Sequence, residues 1–76
     1  MEINEFVLQF ADQFEDTPAK CFSPETKFRE LEEWSSLLAL SIMAMVNEEY
    51  DVSLTASEMI NAVTINDLFN TVKSHL

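Results

Sequence analysis

The stretch WSSLLALSIMAMVN, Trp34 to Asn47, constrains this chain more than any other. It carries no charge and is bounded by Glu32-Glu33 and Glu48-Glu49, in a chain with 14 acids, 4 bases and a net charge of −10. A bilayer-spanning helix needs roughly 20 apolar residues, so this run is too short to cross a membrane. It must be covered by the rest of the chain or by a partner. The length of 76 residues predicts one domain, 1–76, with room for one modest core. Six phenylalanines and a 47% hydrophobic content are enough to build it. The charge disfavours nucleic acid and membrane insertion, since both surfaces are anionic, and basic protein surfaces are its natural complement. It also adds self-repulsion to a thin core, which predicts marginal stability that improves with salt or divalent cations. The acidic, amphipathic N-terminus does not read as a secretory leader, and the single Cys21 leaves no intrachain disulfide. A cytoplasmic monomer is the expectation.

Apolar spacing gives an all-α class: a small helical bundle of three main helices plus one short helix, with a long loop between helices one and two. Ile3, Phe6, Val7, Phe10, Ala11 and Phe14 share one face of a helix over 2–15. Thr17-Pro18 ends it, because the residue before proline is pushed out of helical geometry. A loop over 16–35 follows, long enough to need anchors. Phe22, Phe28, Leu31 and Trp34 are the residues to supply them, with room for a short helical turn. The second helix spans 36–50. Its inner face is expected to be Ala39, Ile42, Met43, Val46 and Tyr50. Leu37, Ser41, Ala44 and Glu48 lie opposite, flanked by Leu38 and Met45, and this outward face is more apolar than solvation requires. Thr55-Ala56-Ser57-Glu58 fits a capping box opening a short helix over 56–61, with Met59, Ile60 and Val63 as its apolar residues. Thr64 and Asp67 repeat the pattern before a helix over 65–75, whose inner face is Ile65, Leu68, Phe69, Val72 and Leu76.

Catalytic candidates are few. His75 is the only histidine, sits beside the C-terminus and has no identifiable partner in the sequence. Cys21 reads as an incidental thiol, and the paired glutamates as solvated boundaries of the uncharged helix rather than a metal site. The chain has no glycine, which excludes phosphate-cradling and calcium-binding loops. The serines at the head of the uncharged helix remain. One role is an N-cap, a hydroxyl that accepts from an orphan backbone N–H. The other is an anchor for a phosphate-linked group, favoured there by free N–H groups and the positive end of the helix dipole.

The pattern Phe28-x-x-Leu31-x-x-Trp34-Ser35-Ser36-Leu37 continues through Ile42 and Val46 into Glu48-Glu49-Tyr50-Asp51-Val52-x-Leu54, then Thr64-Ile65-x-Asp67-Leu68. It resembles the acyl carrier protein family from about Phe28 to Leu76. The resemblance implies a non-catalytic carrier with 4′-phosphopantetheine, derived from coenzyme A, attached covalently to Ser36. Acyl intermediates of fatty acid or related acyl-chain biosynthesis would travel on that arm as thioesters. Partners implied are a phosphopantetheinyl transferase and acyl-transfer and synthase enzymes with basic or apolar patches. They would dock on Leu37, Leu38, Ser41, Met45, Glu48, Glu49 and Glu58. Ile42, Val46, Leu54, Met59, Ile60 and Ala62 are the implied lining of an acyl cavity. The aspartate expected before the modified serine is Ser35 here, so a transferase loses one charged contact. Leu38 and Ser41 stand where acids are common, so docking should lean on apolar contact. The alternative is an unmodified acidic helical adaptor that binds a partner through the apolar outward face of the second helix.

Overall fold

The computed structural model describes residues 2–76. The chain forms four α-helices: α1 (Ile3–Ala11), α2 (Ser36–Tyr50), α3 (Ala56–Asn61) and α4 (Ile65–Ser74). Two 3₁₀ turns, Ala19–Cys21 and Phe28–Glu30, interrupt the long segment between α1 and α2. No strand occurs among the described residues, in line with the expected all-α class.

Both capping boxes form. Glu58 N donates to Thr55 Oγ1 at 3.1 Å while Thr55 N donates to Glu58 Oε1 at 2.9 Å. Asp67 N donates to Thr64 Oγ1 at 3.1 Å, and Asp67 Oδ2 accepts from Thr64 N at 3.1 Å. Each box satisfies N–H groups that have no acceptor inside their own helix. At the other end of α2, Asp51 takes a left-handed φ of 57° and its N–H closes on Asn47 O at 3.0 Å. Glycine usually fills that position; in a chain without glycine a short polar side chain takes the place.

The first helix is shorter than the expected 2–15. Past Ala11 the chain tightens, with Gln13 N and Phe14 N reaching Phe10 O and Ala11 O at 3.2 and 3.0 Å, and then leaves the helix. Glu33 takes up the backbone that follows. Its carboxylate accepts from Glu15 N at 2.9 Å, Asp16 N at 3.1 Å, Thr17 N at 2.9 Å and Thr17 Oγ1 at 2.7 Å. Glu33 is therefore a clamp on the long loop, not the solvated boundary charge expected of it.

All six phenylalanines are buried. Phe28, fully buried, meets Phe10 of α1 at 5.4 Å between ring centroids and Trp34 at 5.0 Å. Phe14 lies 4.9 Å from Phe22 and 6.2 Å from Trp34. The long loop is thus threaded by aromatic rings, with Phe22 and Phe28 inside and Leu31 and Trp34 half-buried. Polar ties complete the anchoring. Thr26 O and Pro24 O accept from Ile65 N and Asn66 N at 3.1 and 2.8 Å, which satisfies the first N–H groups of α4. Arg29 Nη1 donates to Met59 O at 2.9 Å, joining the loop to α3.

Three inner faces differ from expectation. In α2, Ile42 and Val46 are buried as expected, but Met45 is buried with them, while Ala39, Met43 and Tyr50 are only half-buried. The helix is apolar almost all round, so periodicity cannot choose between neighbouring stripes. In α3 only Met59 is buried; Ile60 is exposed, as is Val63 beyond the helix end. Six residues present one narrow edge to the core. In α4, Ile65, Leu68, Phe69 and Val72 point inward, but the helix ends at Ser74 and Leu76 is exposed.

The structure makes two testable predictions about stability. Phe28→Ala removes a fully buried ring from the loop–α1 joint, and urea denaturation at neutral pH should show a loss of about 3–5 kcal/mol. The second concerns acid. Hydrogen bonds hold three carboxylates below their ordinary values: Glu33 by Thr17 and the loop N–H groups, Glu58 by Thr55 N–H and His75, and Asp67 by the N–H groups of Thr64 and Val63. A carboxylate with a lowered folded pKa stabilises the fold above its unfolded value and loses that contribution as pH falls through the folded one. Melting temperature should therefore drop as pH falls below the ordinary values of 4.5 for Glu and 3.8 for Asp. In Glu33→Gln the same titration should be shallower, and an unchanged slope would contradict the clamp.

Candidate functional site at the start of α2

The two serines at the head of α2 are placed differently. Ser35 is the N-cap, extended at φ −155°, ψ 171°, and its Oγ accepts from Leu38 N at 3.3 Å. Its carbonyl accepts the first intrahelical bond, from Ala39 N at 3.0 Å. Ser36 is the first helical residue and is exposed. Its hydroxyl makes no hydrogen bond among the described residues, and the N–H groups of Ser36 and Leu37 are equally free, as helix geometry requires. A primary hydroxyl therefore stands beside unpaired donors at the positive end of a fifteen-residue helix. No acid lies in the first turn of α2, and the preceding Glu33 is turned to the α1 loop. This corner suits a phosphate electrostatically.

Below Ser36 the outward stripe of α2 is Leu37, 73% exposed, Leu40, 63% exposed, and Ala44, followed by exposed Glu48 and Glu49. Leu38 and Ser41 are half-buried at its margin. Met45, expected on this surface, belongs to the core, while Leu40, expected on neither face, joins the stripe about 60° round the helix from Leu37. Glu58 is held by its capping box and by His75 Nε2, 2.6 Å from Glu58 Oε2. His75 thus has a partner that sequence distance concealed.

Of the residues expected around an acyl chain, Ile42, Val46, Leu54, Met59 and Ala62 are buried in the one core cluster. Ile60 is 69% exposed and cannot line that interior. Cys21 is a free, exposed thiol. No group of His, Cys, Asp or Glu among the described residues is arranged to hold a metal ion, and no helix there is long and apolar enough to cross a membrane.

A family model described as the phosphopantetheine attachment site matches residues 5–72. No curated protein and no solved structure gives a significant match.

The division between the serines is directly measurable. Ser35→Ala removes a cap and should destabilise the fold by about 1 kcal/mol. Ser36→Ala removes an unengaged surface hydroxyl and should stay within about 0.5 kcal/mol of the parent. Paired denaturation curves check both values.

Proposed function

We propose that this chain, which belongs to the phosphopantetheine attachment site family, is an acyl carrier protein that bears its 4′-phosphopantetheine on Ser36. The observation that carries the choice of residue is the free hydroxyl of Ser36 at the first position of α2, with Ser35 beside it already engaged as the cap. Domains of this family are attachment sites for covalent 4′-phosphopantetheine and are generally non-catalytic. When bound, the group supplies a terminal thiol that holds acyl cargo as a thioester. The chain itself provides the anchor. The unpaired N–H groups of Ser36 and Leu37 would serve a phosphodiester on the Ser36 oxygen, and the dipole of α2 would offset its charge.

Loading and cargo transfer fall to partner enzymes: a phosphopantetheinyl transferase, and acyl-transfer and synthase enzymes of fatty acid or related acyl-chain biosynthesis. We assign their docking to Leu37, Leu40 and Ala44, with Leu38 and Ser41 at the margin and Glu48 and Glu49 at the far end. An apolar contact of this kind gains from water exclusion and depends little on ionic strength. Ile42, Val46, Leu54, Met59 and Ala62 are the residues a long acyl chain would have to part to enter the core. Met59 is the most adaptable of them, an unbranched side chain that refits around cargo of varied length.

Two experiments test these roles. Incubated with coenzyme A, magnesium and a broad-specificity transferase, the protein should gain one phosphopantetheinyl unit by intact mass. Ser36→Ala should gain none, and Ser35→Ala should still be loaded. No gain with several transferases would leave the unmodified adaptor as the better account of the apolar stripe. For docking, Leu40→Glu should lower kcat/KM for that loading reaction about tenfold, equivalent to ~1.4 kcal/mol of lost transition-state binding, with only modest weakening of the wild type by salt. A steep salt dependence would show that charge, not apolar contact, governs recognition.

A further inference from the structure

Polar side chains tie both ends of α2 to α1 or to the loop that leaves it. At the far end Tyr50 Oη donates to Gln9 Oε1, and Gln9 Nε2 donates to Glu49 Oε1 at 3.4 Å. At the start the tie is Glu33, two residues before the N-cap. Its oxygens take four donors from residues 16 to 18 positions earlier: Glu15 N, Asp16 N, Thr17 N and Thr17 Oγ1. Apart from the packing of Trp34 and half-buried Leu38, the first turn has little else to hold it. Ser35 is a neutral cap at 3.3 Å, Leu37 is exposed, and the N–H groups of Ser36 and Leu37 have no acceptor among the described residues. Helix ends fray where such bonds are missing.

We infer, building on the carrier function proposed above, that Glu33 is a positioning residue for the modification of Ser36. By clamping the α1 loop it fixes the point where the chain enters α2, and with it the place of the Ser36 hydroxyl. The four bonds run from 2.7 to 3.1 Å. The Thr17 hydroxyl and the N–H groups of Glu15, Asp16 and Thr17 hold the carboxyl below its ordinary pKa, so it is ionised at neutral pH and every bond is charge-assisted. The donors sit on three consecutive residues, and Glu33 cannot shift without losing several at once. Only Trp34 and Ser35 separate it from Ser36. A displacement of the clamp therefore reaches the hydroxyl through two non-helical residues. The docking stripe at Leu40 and Ala44 lies further along α2, toward the tie at Tyr50. Releasing the start alone moves the reacting oxygen relative to the surface a transferase grips. In that step the Ser36 oxygen bonds to the phosphorus that carries the pantetheine. The bond from that phosphorus to the nucleotide part of coenzyme A breaks, and the serine proton passes to a base of the transferase. Misplacing a nucleophile slows such a displacement steeply, while binding elsewhere on the surface is kept.

The test is steady-state loading from coenzyme A by a broad-specificity transferase, followed by intact mass, with each protein measured where circular dichroism shows it folded. Glu33→Ala should lower kcat about tenfold and keep KM for the carrier within about twofold, whereas loss of a docking residue raises KM. Val72→Ala weakens the fold inside α4 and should leave both constants unchanged. A wild-type kcat in Glu33→Ala, or a loss that Val72→Ala reproduces, would overturn the positioning role. Thr17→Val removes only the Oγ1 bond and should lower kcat about threefold. Combined with Glu33→Ala it should add nothing further, and additive losses count against a shared clamp. If Glu33→Ala does not fold, Thr17→Val decides: an unchanged kcat there overturns the role. Amide hydrogen exchange on the unloaded protein reads the clamp without any transferase. In Glu33→Ala the N–H groups of Leu38 and Ala39 should exchange about tenfold faster, with those of Met45 and Val46 unchanged. Unchanged exchange at Leu38 in a protein that loads overturns the role of Glu33 alone. A wild type that gains no mass overturns the carrier function and this role with it.

Discussion

The position of everything functional in this molecule depends on the packing of Phe28 between Phe10 and Trp34. More than twenty residues separate α1 from α2, and a connection that long normally forfeits any fixed geometry at its far end. Here the far end is the start of α2. Phe28 contributes a buried ring within the segment, and Trp34, the residue next to the N-cap, packs on it. Glu33 adds a polar counterpart one residue earlier, gathering the N–H groups where α1 unwinds. Apolar contact supplies the energy, and the carboxylate supplies the register. Without both, the first turn of α2 would have no fixed place against α1.

That fixed first turn lets two adjacent serines do different work. A helix start needs one side-chain acceptor, and Ser35 provides it with a neutral oxygen. The family resemblance leads one to expect an aspartate there, which would cap and add a negative charge. The cap is kept and the charge is lost. The positive end of α2 is consequently less neutralised near Ser36, which favours a phosphate at that corner, while a partner loses one acid to recognise. The uncharged character of the helix begins at its cap and continues down the exposed leucines.

Local chemistry was legible in the sequence. Both capping boxes and the inward positions Ile65, Leu68, Phe69 and Val72 of α4 follow from residues within four positions of one another. Long-range partners were not legible. Glu33 reads as half of an acidic pair until the chain brings Glu15–Thr17 to it, and His75 reads as a frayed terminus until α3 places Glu58 beside it. Face assignment failed for a different reason. A hydrophobic stripe is visible only against polar neighbours, and α2 offers almost none between Leu37 and Val46, so Met45 is expected outside although it is buried, and exposed Leu40 is given to neither face. In α3 the expected span 56–61 is the observed one, but six residues present only one narrow edge to the core, and Ile60, next to buried Met59, falls on the solvent side of it.

The same absence of charge gives α2 three different apolar borders. On its core side, Ile42, Met45 and Val46 are sealed. Burial of each such side chain is worth about 1.5–3 kcal/mol, so parting this side for cargo costs a large share of what a domain of this size has to spare. On the outward stripe, Leu37 and Leu40 lie open and gain only when a partner covers them. Along the α1 side, Leu37 and Leu38 border an open recess, reached without breaking any core contact. An acyl chain entering the core, by contrast, would have to offset the opening with its own buried methylenes, each worth about 0.8 kcal/mol.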